Sequence, residues 1–161
     1  MAVIIRNASP HDGAAMWALV ARMGGLELNS AYAYVLLASH FRDTCLVTER
    51  AGQLVGFVAA YRPPSEPGDL FVWQVGVAPE ARGQQVASRL LDALVTCPAG
   101  RDSRYLTATV SPDNDASLRL FRGFATRHRA AFTVGAGYPA SLFPNAHADE
   151  DLVRIGPLPQ S

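Results

Sequence analysis

Val72-Trp73-Gln74-Val75-Gly76-Val77-Ala78-Pro79-Glu80-Ala81-Arg82-Gly83-Gln84-Gln85-Val86-Ala87-Ser88-Arg89-Leu90-Leu91 is the stretch that decides the fold of this chain. An apolar run gives way to a tight turn at Pro79, a short basic loop and an amphipathic pattern, which together predict a buried strand, a connection and a helix. That helix, expected from Gln84 to Val95, carries Val86, Leu90, Leu91 and Leu94 on one face. A helix start leaves backbone N–H groups without partners, and the macrodipole adds positive potential there. A pyrophosphate fits such a place, and Arg82 can add charge-assisted hydrogen bonds. Spacing alone is equally compatible with an ordinary strand–turn–helix connection.

Working outward, 161 residues at 49% hydrophobic content suffice for one well-formed core and are too few for two ordinary domains. The expectation is one domain over residues 1–161. The 14 basic and 14 acidic residues cancel, so nothing global points to nucleic acid or to a membrane surface. Every basic residue is an Arg, so a lysine base or a lysine Schiff base is excluded. Cys45 and Cys97 have neither metal-like nor redox-like spacing, so no metal is expected. Met1 to Arg6 lacks a signal-peptide profile and no apolar run approaches spanning length, so a cytoplasmic enzyme-sized domain is expected.

Val3 to Arg6 reads as a strand. Ser9-Pro10-His11-Asp12 announces a helix, with Ser9 as N-cap and Asp12 as its partner three residues on, and Gly24-Gly25 stops it. Asn29 and Ser30 offer a second cap. Thr44 to Glu49 and Leu54 to Tyr61 read as strands around an Ala51-Gly52 hairpin turn. Three prolines make Arg62 to Asp69 a surface loop. After the central strand and its helix, Tyr105 to Val110 reads as a strand and Pro112 to Ser117 opens a helix through Phe121, with Gly123 marking its end. Strands near Arg129 to Val134 and over Leu152 to Ile155 complete an order β-α-α-β-β-β-α-β-α-β-β. A doubly wound dinucleotide fold would want a Gly-rich turn after the first strand, and Arg6-Asn7-Ala8-Ser9 offers none.

Val77 to Gly83 followed by Gln84 to Ala87 resembles the coenzyme A loop of the GNAT N-acetyltransferases, whose pattern is Arg or Gln, two residues, Gly, one residue, then Gly or Ala. Arg82 and Ala87 match, while Gln85 replaces the central Gly. A Gly there allows close approach to phosphate or a positive φ, and Gln85 can still donate its N–H if its φ is negative. The resemblance implies an α+β GNAT fold, with one mixed and mostly antiparallel sheet flanked by helices. It also implies that acetyl-CoA is the co-substrate. Its phosphates would meet Arg82, Gly83, Gln84, Gln85, Val86, Ala87 and Ser88, and its pantetheine amides the backbone of Val75 and Val77. Asn114 resembles the family's Asn that contacts the coenzyme arm, with Ser117 one turn further on; Asn114 could also simply cap its helix. Many relatives carry a Tyr after the Leu of this helix, but Phe121 follows Leu120 here and has no proton to give.

A closer resemblance, over most of the chain, is to the diaminobutyrate acetyltransferases of ectoine biosynthesis. It rests on Leu26 to Tyr34, Tyr61-Arg62-Pro63-Pro64, Phe71 to Val75, Thr109 to Asn114, and His147 followed by Leu152 to Pro157. It implies acetylation of the γ-amine of L-2,4-diaminobutyrate, hence a small diamino acid or diamine as partner. Glu27, Tyr32, Trp73, His147 and Glu150 supply the carboxylates, aromatic wall and neutral donors that such a substrate needs. Glu27, Glu150 and Tyr32 are the candidates for catalysis. Four of these five have a plainer alternative: core packing for Trp73, a solvated acid near a cap for Glu27, an exposed polar loop for His147 and Glu150. The family tends to have Asp where Glu27 stands.

The simplest chemistry is direct attack of a neutral amine on the thioester in a ternary complex. An alkylammonium of pKa ~10 is only about 0.1% neutral at pH 7, so a carboxylate must accept a proton. Another small amine or polyamine as acceptor, or a non-catalytic coenzyme A sensor, stays open. Apolar edge strands near Phe132 and Val153 suggest a homodimer.

Overall fold

The element order expected from the sequence is the order the chain adopts. The computed structural model describes residues 2–160. It contains β1 (Ile4–Asn7), α1 (Gly13–Met23), α2 (Ala31–His40), β2 (Cys45–Arg50), β3 (Gln53–Tyr61), β4 (Asp69–Val77), α3 (Val86–Thr96), β5 (Tyr105–Val110), α4 (Asp115–Arg127), β6 (Ala131–Tyr138) and β7 (Glu150–Gly156). Contacts group the chain into two compact units: residues up to Tyr61 with Trp73–Arg101, and Arg62–Val72 with the chain from Asp102 onward. Strand β4 belongs to both, changing unit between Val72 and Trp73.

In the first unit, β1 and β3 each pair antiparallel with β2, in registers Ile4↔Glu49 and Cys45↔Ala59. Ala51 and Gly52 make the β2–β3 turn with φ of 53° and 77°, the two positive values that match the twist of a two-residue hairpin. Gly24, at φ 66°, ends α1 as expected. The Ser30 hydroxyl accepts from the Ala33 N–H at 3.2 Å and caps α2, while Asn29 turns back to the Glu27 carbonyl at 3.3 Å. Met16, Leu19, Val20, Tyr34 and Phe57 are fully buried, as are Leu90, Leu91 and Leu94 of α3. A Cβ on Gly56 would lie 3.0 Å from Val86 Cγ1, so its absence lets α3 settle close on β3.

In the second unit, the first half of β4 runs parallel to β5 over Asp69–Val72 against Tyr105–Ala108; β5 pairs antiparallel with β7, and β7 with β6. Buried Asp69 accepts from Arg154 Nη1 at 2.8 Å, and that guanidinium lies 3.8 Å from the centre of the Tyr105 ring. This clamps the start of the parallel pair. Helix α4 buries Phe121, Phe124 and Ala125.

Three expectations need correction. Helix α4 does not stop at Gly123 but continues to Arg127, since one glycine costs a packed helix only about 1 kcal/mol. Val153 is not on an edge: β7 lies between β5 and β6, and Val153 is fully buried, so of the two strands only β6, with Phe132, is at an edge. Glu150 is not in a loop but opens β7, opposite Tyr138.

The N-terminal helix signal opens a 3₁₀ turn over Pro10–Asp12 that leads into α1 at Gly13, and it carries more charge than the sequence suggested. Asp12 accepts from the Ser9 N–H at 2.7 Å and takes both nitrogens of Arg6 at 2.8 Å, and Arg6 also reaches Glu49 at 2.6 Å. Arg6, and then the Ser9 N–H against the opposing effect of burial, holds the Asp12 carboxyl below its ordinary 3.8. A folded-state pKa below the unfolded one adds stability that is complete above the unfolded value and is lost as pH falls through the folded one. Asp12→Asn should therefore cost about 1–2 kcal/mol at pH 7, discounted for the partly exposed Arg6. It should also flatten the acid limb of the Tm-against-pH curve below about pH 4. A mutant that melts like the parent at pH 7 and at pH 3 would show that the pair contributes nothing.

Candidate active site

The loop between β4 and α3 is shaped as an anion cradle. A 3₁₀ turn over Pro79–Ala81 leads to Arg82, Gly83 has φ 75°, and Gln85 sits as the N-cap of α3 at φ 61°, ψ 21°. The helix thus begins at Val86, two residues later than the sequence predicted, and Gln85 does not have the negative φ considered for it. Of the two reasons a glycine suits this position, positive φ is the one the fold requires. Gln85 makes no side-chain cap, so the N–H groups of Val86 and Ala87 start the helix without one. A cavity of about 310 Å³ opens here, lined by Val77, Arg82, Gly83, Gln85, Val86, Ala87 and Ser88. Turns of alternating hand with convergent amides form anion-binding concavities, and the start of α3 adds its dipole.

Gln84, also assigned to the phosphates, does not line this cavity. Its side chain braces the loop instead: Oε1 accepts from Arg50 Nη1 at 2.7 Å, and Nε2 donates to the Glu80 carbonyl at 3.2 Å. Glu80 is gripped by both nitrogens of Arg22 at 3.0 Å, which hold its carboxyl down at about 2. The pair is half exposed and adds little to stability. Its consequence is electrostatic, because the carboxylate just before the cradle is matched by a cation rather than left to repel phosphate. Nothing in the local sequence links Arg22 or Arg50 to this loop, 58 and 34 residues away.

The amine-side candidates of the first unit lie along β4 and the α1–α2 connection. Trp73, Val75 and Val77 are half-buried, alternating with buried Gln74 and Gly76. The parallel β4–β5 ladder ends at Val72, so it uses no backbone group of Val75 or Val77. The Trp73 ring lies 5.8 Å from that of buried Tyr34. Glu27 and Tyr32 are exposed, Tyr32 to 68%. Two residues missed in the sequence connect these groups. Tyr34 donates to Gln74 Oε1 at 3.1 Å, and Gln74 Nε2 donates to the Glu27 carbonyl at 2.7 Å. A glutamine inside an apolar strand was the available signal, because a buried amide must find partners.

In the second unit, Asn114 caps α4, its Oδ1 accepting from the Ser117 N–H at 3.1 Å. The cap engages the oxygen and leaves the amide nitrogen out of it. His147 stacks on Phe143 at 3.9 Å and 13°, with Nδ1 2.6 Å from the Ala148 carbonyl. A carbonyl can only accept, so Nδ1 is the donor in this contact and Nε2 is left for another partner. Glu150 is half-buried. A Cβ on Gly137 would fall 2.1 Å from the Glu150 carbonyl oxygen, so glycine lets β6 bulge past the start of β7.

The acetyltransferase (GNAT) family profile matches residues 15–124, which span α1 through most of α4. The chain belongs to the GNAT family. Among curated proteins it is similar to the L-2,4-diaminobutyric acid acetyltransferase of Shouchella clausii, with 42% identity over 91% of this chain and 83% of that one. The same enzyme from Halomonas elongata is 42% identical over 97% of this chain and 82% of the relative. Among solved structures, the diaminobutyrate acetyltransferase EctA from Paenibacillus lautus, in complex with L-2,4-diaminobutyric acid and coenzyme A, superposes with a TM-score of 0.94. That match is at 42% identity and covers 99% of this chain and 98% of that one. The GNAT fold expected from the sequence is therefore the fold of this acetyltransferase.

Other chemistry inside this GNAT chain is narrowed by its own residues. Burial pushes the Cys45 thiol up to about 11, and its Sγ faces the Ala60 carbonyl at 3.8 Å. Such a thiol is a poor acyl carrier. Phe121 is buried in α4. Among the described residues no cluster of three His, Cys, Asp or Glu could hold a metal, and no helix is long and apolar enough to cross a membrane.

Two substitutions test the cradle. Arg82→Ala should raise the KM for acetyl-CoA about tenfold, the loss of a charge-assisted contact of about 1.5 kcal/mol. An unchanged KM in a folded mutant would place the phosphates elsewhere. Gln85→Gly removes left-handed strain of about 1 kcal/mol, partly offset by a freer unfolded chain, so thermal stability should hold or rise slightly. Coenzyme affinity should hold or tighten, and clear weakening would mean that the Gln85 side chain belongs to the site.

Proposed function

We propose that this acetyltransferase moves acetyl from acetyl-CoA to the γ-amine of L-2,4-diaminobutyrate in ectoine biosynthesis, by direct attack in a ternary complex. The observation that carries this reading is the near-complete superposition on EctA, at an identity of 42%, with that protein holding both the diamino acid and coenzyme A. The chain's own geometry supports it. The cradle at the start of α3 suits a pyrophosphate, and Val77 extends from that cavity along β4. Backbone groups of Val75 and Val77, outside the β4–β5 ladder, suit an amide-bearing arm that adds itself like a strand. An N–H of that segment is the proposed donor to the thioester oxygen as negative charge develops on it. Asn114, through the amide nitrogen that its cap leaves unengaged, and Ser117 are proposed to contact the coenzyme arm.

Glu27, Tyr32 and Trp73 in one unit, and His147 and Glu150 in the other, are each proposed to act on the amino acid. A carboxylate steadies the ammonium and, directly or through water, takes the proton that must leave before the nitrogen can attack. The nitrogen then bonds to the thioester carbon, the C–S bond breaks, and the proton that the nitrogen sheds as the amide forms goes, directly or through water, to the departing thiolate to give the free thiol. His147 is proposed to meet the amino acid through Nε2, the ring nitrogen its carbonyl contact does not use, and the Trp73 face suits the alkyl chain. The α-amine is the weaker base and more of it is neutral, so basicity alone favours the wrong product. Selectivity must come from placement.

Cytoplasmic location and a single catalytic domain are part of this proposal, as is a homodimer. Its support is β6, an edge strand exposed over nearly its whole length with Val134 and Tyr138 outward.

Glu27→Gln and Glu150→Gln should each lower kcat/KM for diaminobutyrate by at least about tenfold, while coenzyme binding changes less than about twofold. Thiol release with a panel of diamines and the position of the acetyl group are the measurements. Normal γ-acetylation by both folded mutants would remove the proposed amine contacts, and turnover restricted to other amines would move the substrate assignment.

A further inference from the structure

Gln74 is 6% exposed and stands in a strand otherwise made of apolar residues and glycine along Leu70–Val77. Burying a primary amide costs about 1–3 kcal/mol unless it is paired. Its two partners fix which way the amide faces. The Glu27 carbonyl can only accept, so the nitrogen must point to it at 2.7 Å, and Oε1 is left to accept from Tyr34 at 3.1 Å. Tyr34 is itself immobilised: it is fully buried, edge-on to Phe57 at 6.3 Å, and fixed in α2 just after the Ser30 cap. The chain from Gly24 to Ser30, by contrast, belongs to no helix or strand. Its ties to β4 include the Gln74 bond and the packing of Leu26 beside Gly76, where an added Cβ would lie 3.5 Å from Leu26 Cδ1 and 3.1 Å from Met23 Sδ. Asn29 Nδ2 takes the second lone pair of the same Glu27 carbonyl at 3.3 Å.

We infer that Gln74 is a positioning residue: by holding the Glu27 backbone against β4, it sets where the Glu27 carboxylate stands and so which amine of the diamino acid is presented for acetylation. The inference rests on the reading of Glu27 as an amine-binding carboxylate. Gln74 touches neither substrate in this scheme. It links the strand whose backbone serves the thioester to an irregular segment whose side chain serves the amine. A carboxylate on an unanchored segment could still bind an ammonium, but would not distinguish two amines a few ångströms apart.

The test uses the full chain and three variants. Gln74→Met keeps the volume and removes both hydrogen bonds. It should raise the KM for diaminobutyrate about tenfold, leave the acetyl-CoA Kd within about twofold, and release α-acetylated product alongside the γ-isomer. Loss of packing alone would lower stability without changing which nitrogen is acetylated. Gln74→Glu keeps an acceptor for Tyr34 but turns the donor into an acceptor once ionised. Its diaminobutyrate KM should therefore climb with pH relative to the parent, and it decides the matter if the Met variant does not fold. Glu27→Gln separates the two ideas. If it acetylates diaminobutyrate normally, the reading of Glu27 fails, and this inference with it. If it is impaired while both Gln74 variants keep the parent's KM, pH profile and γ-product purity, the positioning role alone is overturned.

Discussion

Backbone N–H groups at the start of α3 are fixed partial positive charges, and they are useful to a pyrophosphate only if the preceding loop is held open around them. A loop free to relax would satisfy those amides with its own carbonyls or side chains. Here the positions that could close it are engaged elsewhere. Gln84, the side chain best placed to fold back, is drawn toward Arg50 and the Glu80 carbonyl, and Glu80 is drawn toward Arg22. Gln85 adopts a left-handed conformation that keeps its own side chain out of the cap. The cradle is thus specified as much by what the surrounding side chains withhold as by what the loop presents.

The left-handed residue is where local preference and global demand conflict. An L-residue with a branched or long side chain loses about 1 kcal/mol at such a φ, and a glycine would not. Strain of this kind persists only when its surroundings over-determine it. On one side α3 is seated on β3 through Val86 and Leu90 at Gly56; on the other the 3₁₀ turn is fastened by the Ala78 N–H, which donates to Val55 at 2.8 Å. Between two fixed ends the backbone has one way round, and Gln85 takes it.

Much of this was legible in the sequence, and what was not has a common cause. The element order followed from period and punctuation: Ser9-Pro10, Gly24-Gly25, Ser30 and Ala51-Gly52 each do locally what their residue types favour. The cradle was legible because Arg82 to Ala87 is contiguous. The start of α3 came out two residues early because a Gln reads as a good helix former, and nothing local demands φ > 0 from it. Gly123 misled in the opposite sense, since a packed helix overrides one poor residue. Glu150 reads as loop because its pairing partner, Tyr138, depends on a bulge that one chain segment alone does not announce. The Gln74 bonds and the Arg22 and Arg50 braces span 34 to 58 residues. Contacts at that separation exist only once the sheet has assembled, so period and motif leave them unmarked.

In the proposed scheme, strand β4 serves two chemistries with one short segment. Its exposure alternates, with Gln74 and Gly76 buried and Trp73, Val75 and Val77 half-buried. The buried positions are unusual for a core strand, being one amide and one residue with no side chain. An all-apolar pair would bury more surface, and each methylene so buried adds about 0.8 kcal/mol. Larger side chains there would displace Met23 and Leu26 and would leave the Glu27 carbonyl without its 2.7 Å donor. The half-buried positions lie beyond the end of the β4–β5 ladder, where the Val75 and Val77 backbone is the proposed seat of the coenzyme arm and the Trp73 ring the proposed wall for the alkyl chain. Stability is therefore given up on the face where geometry has to be held.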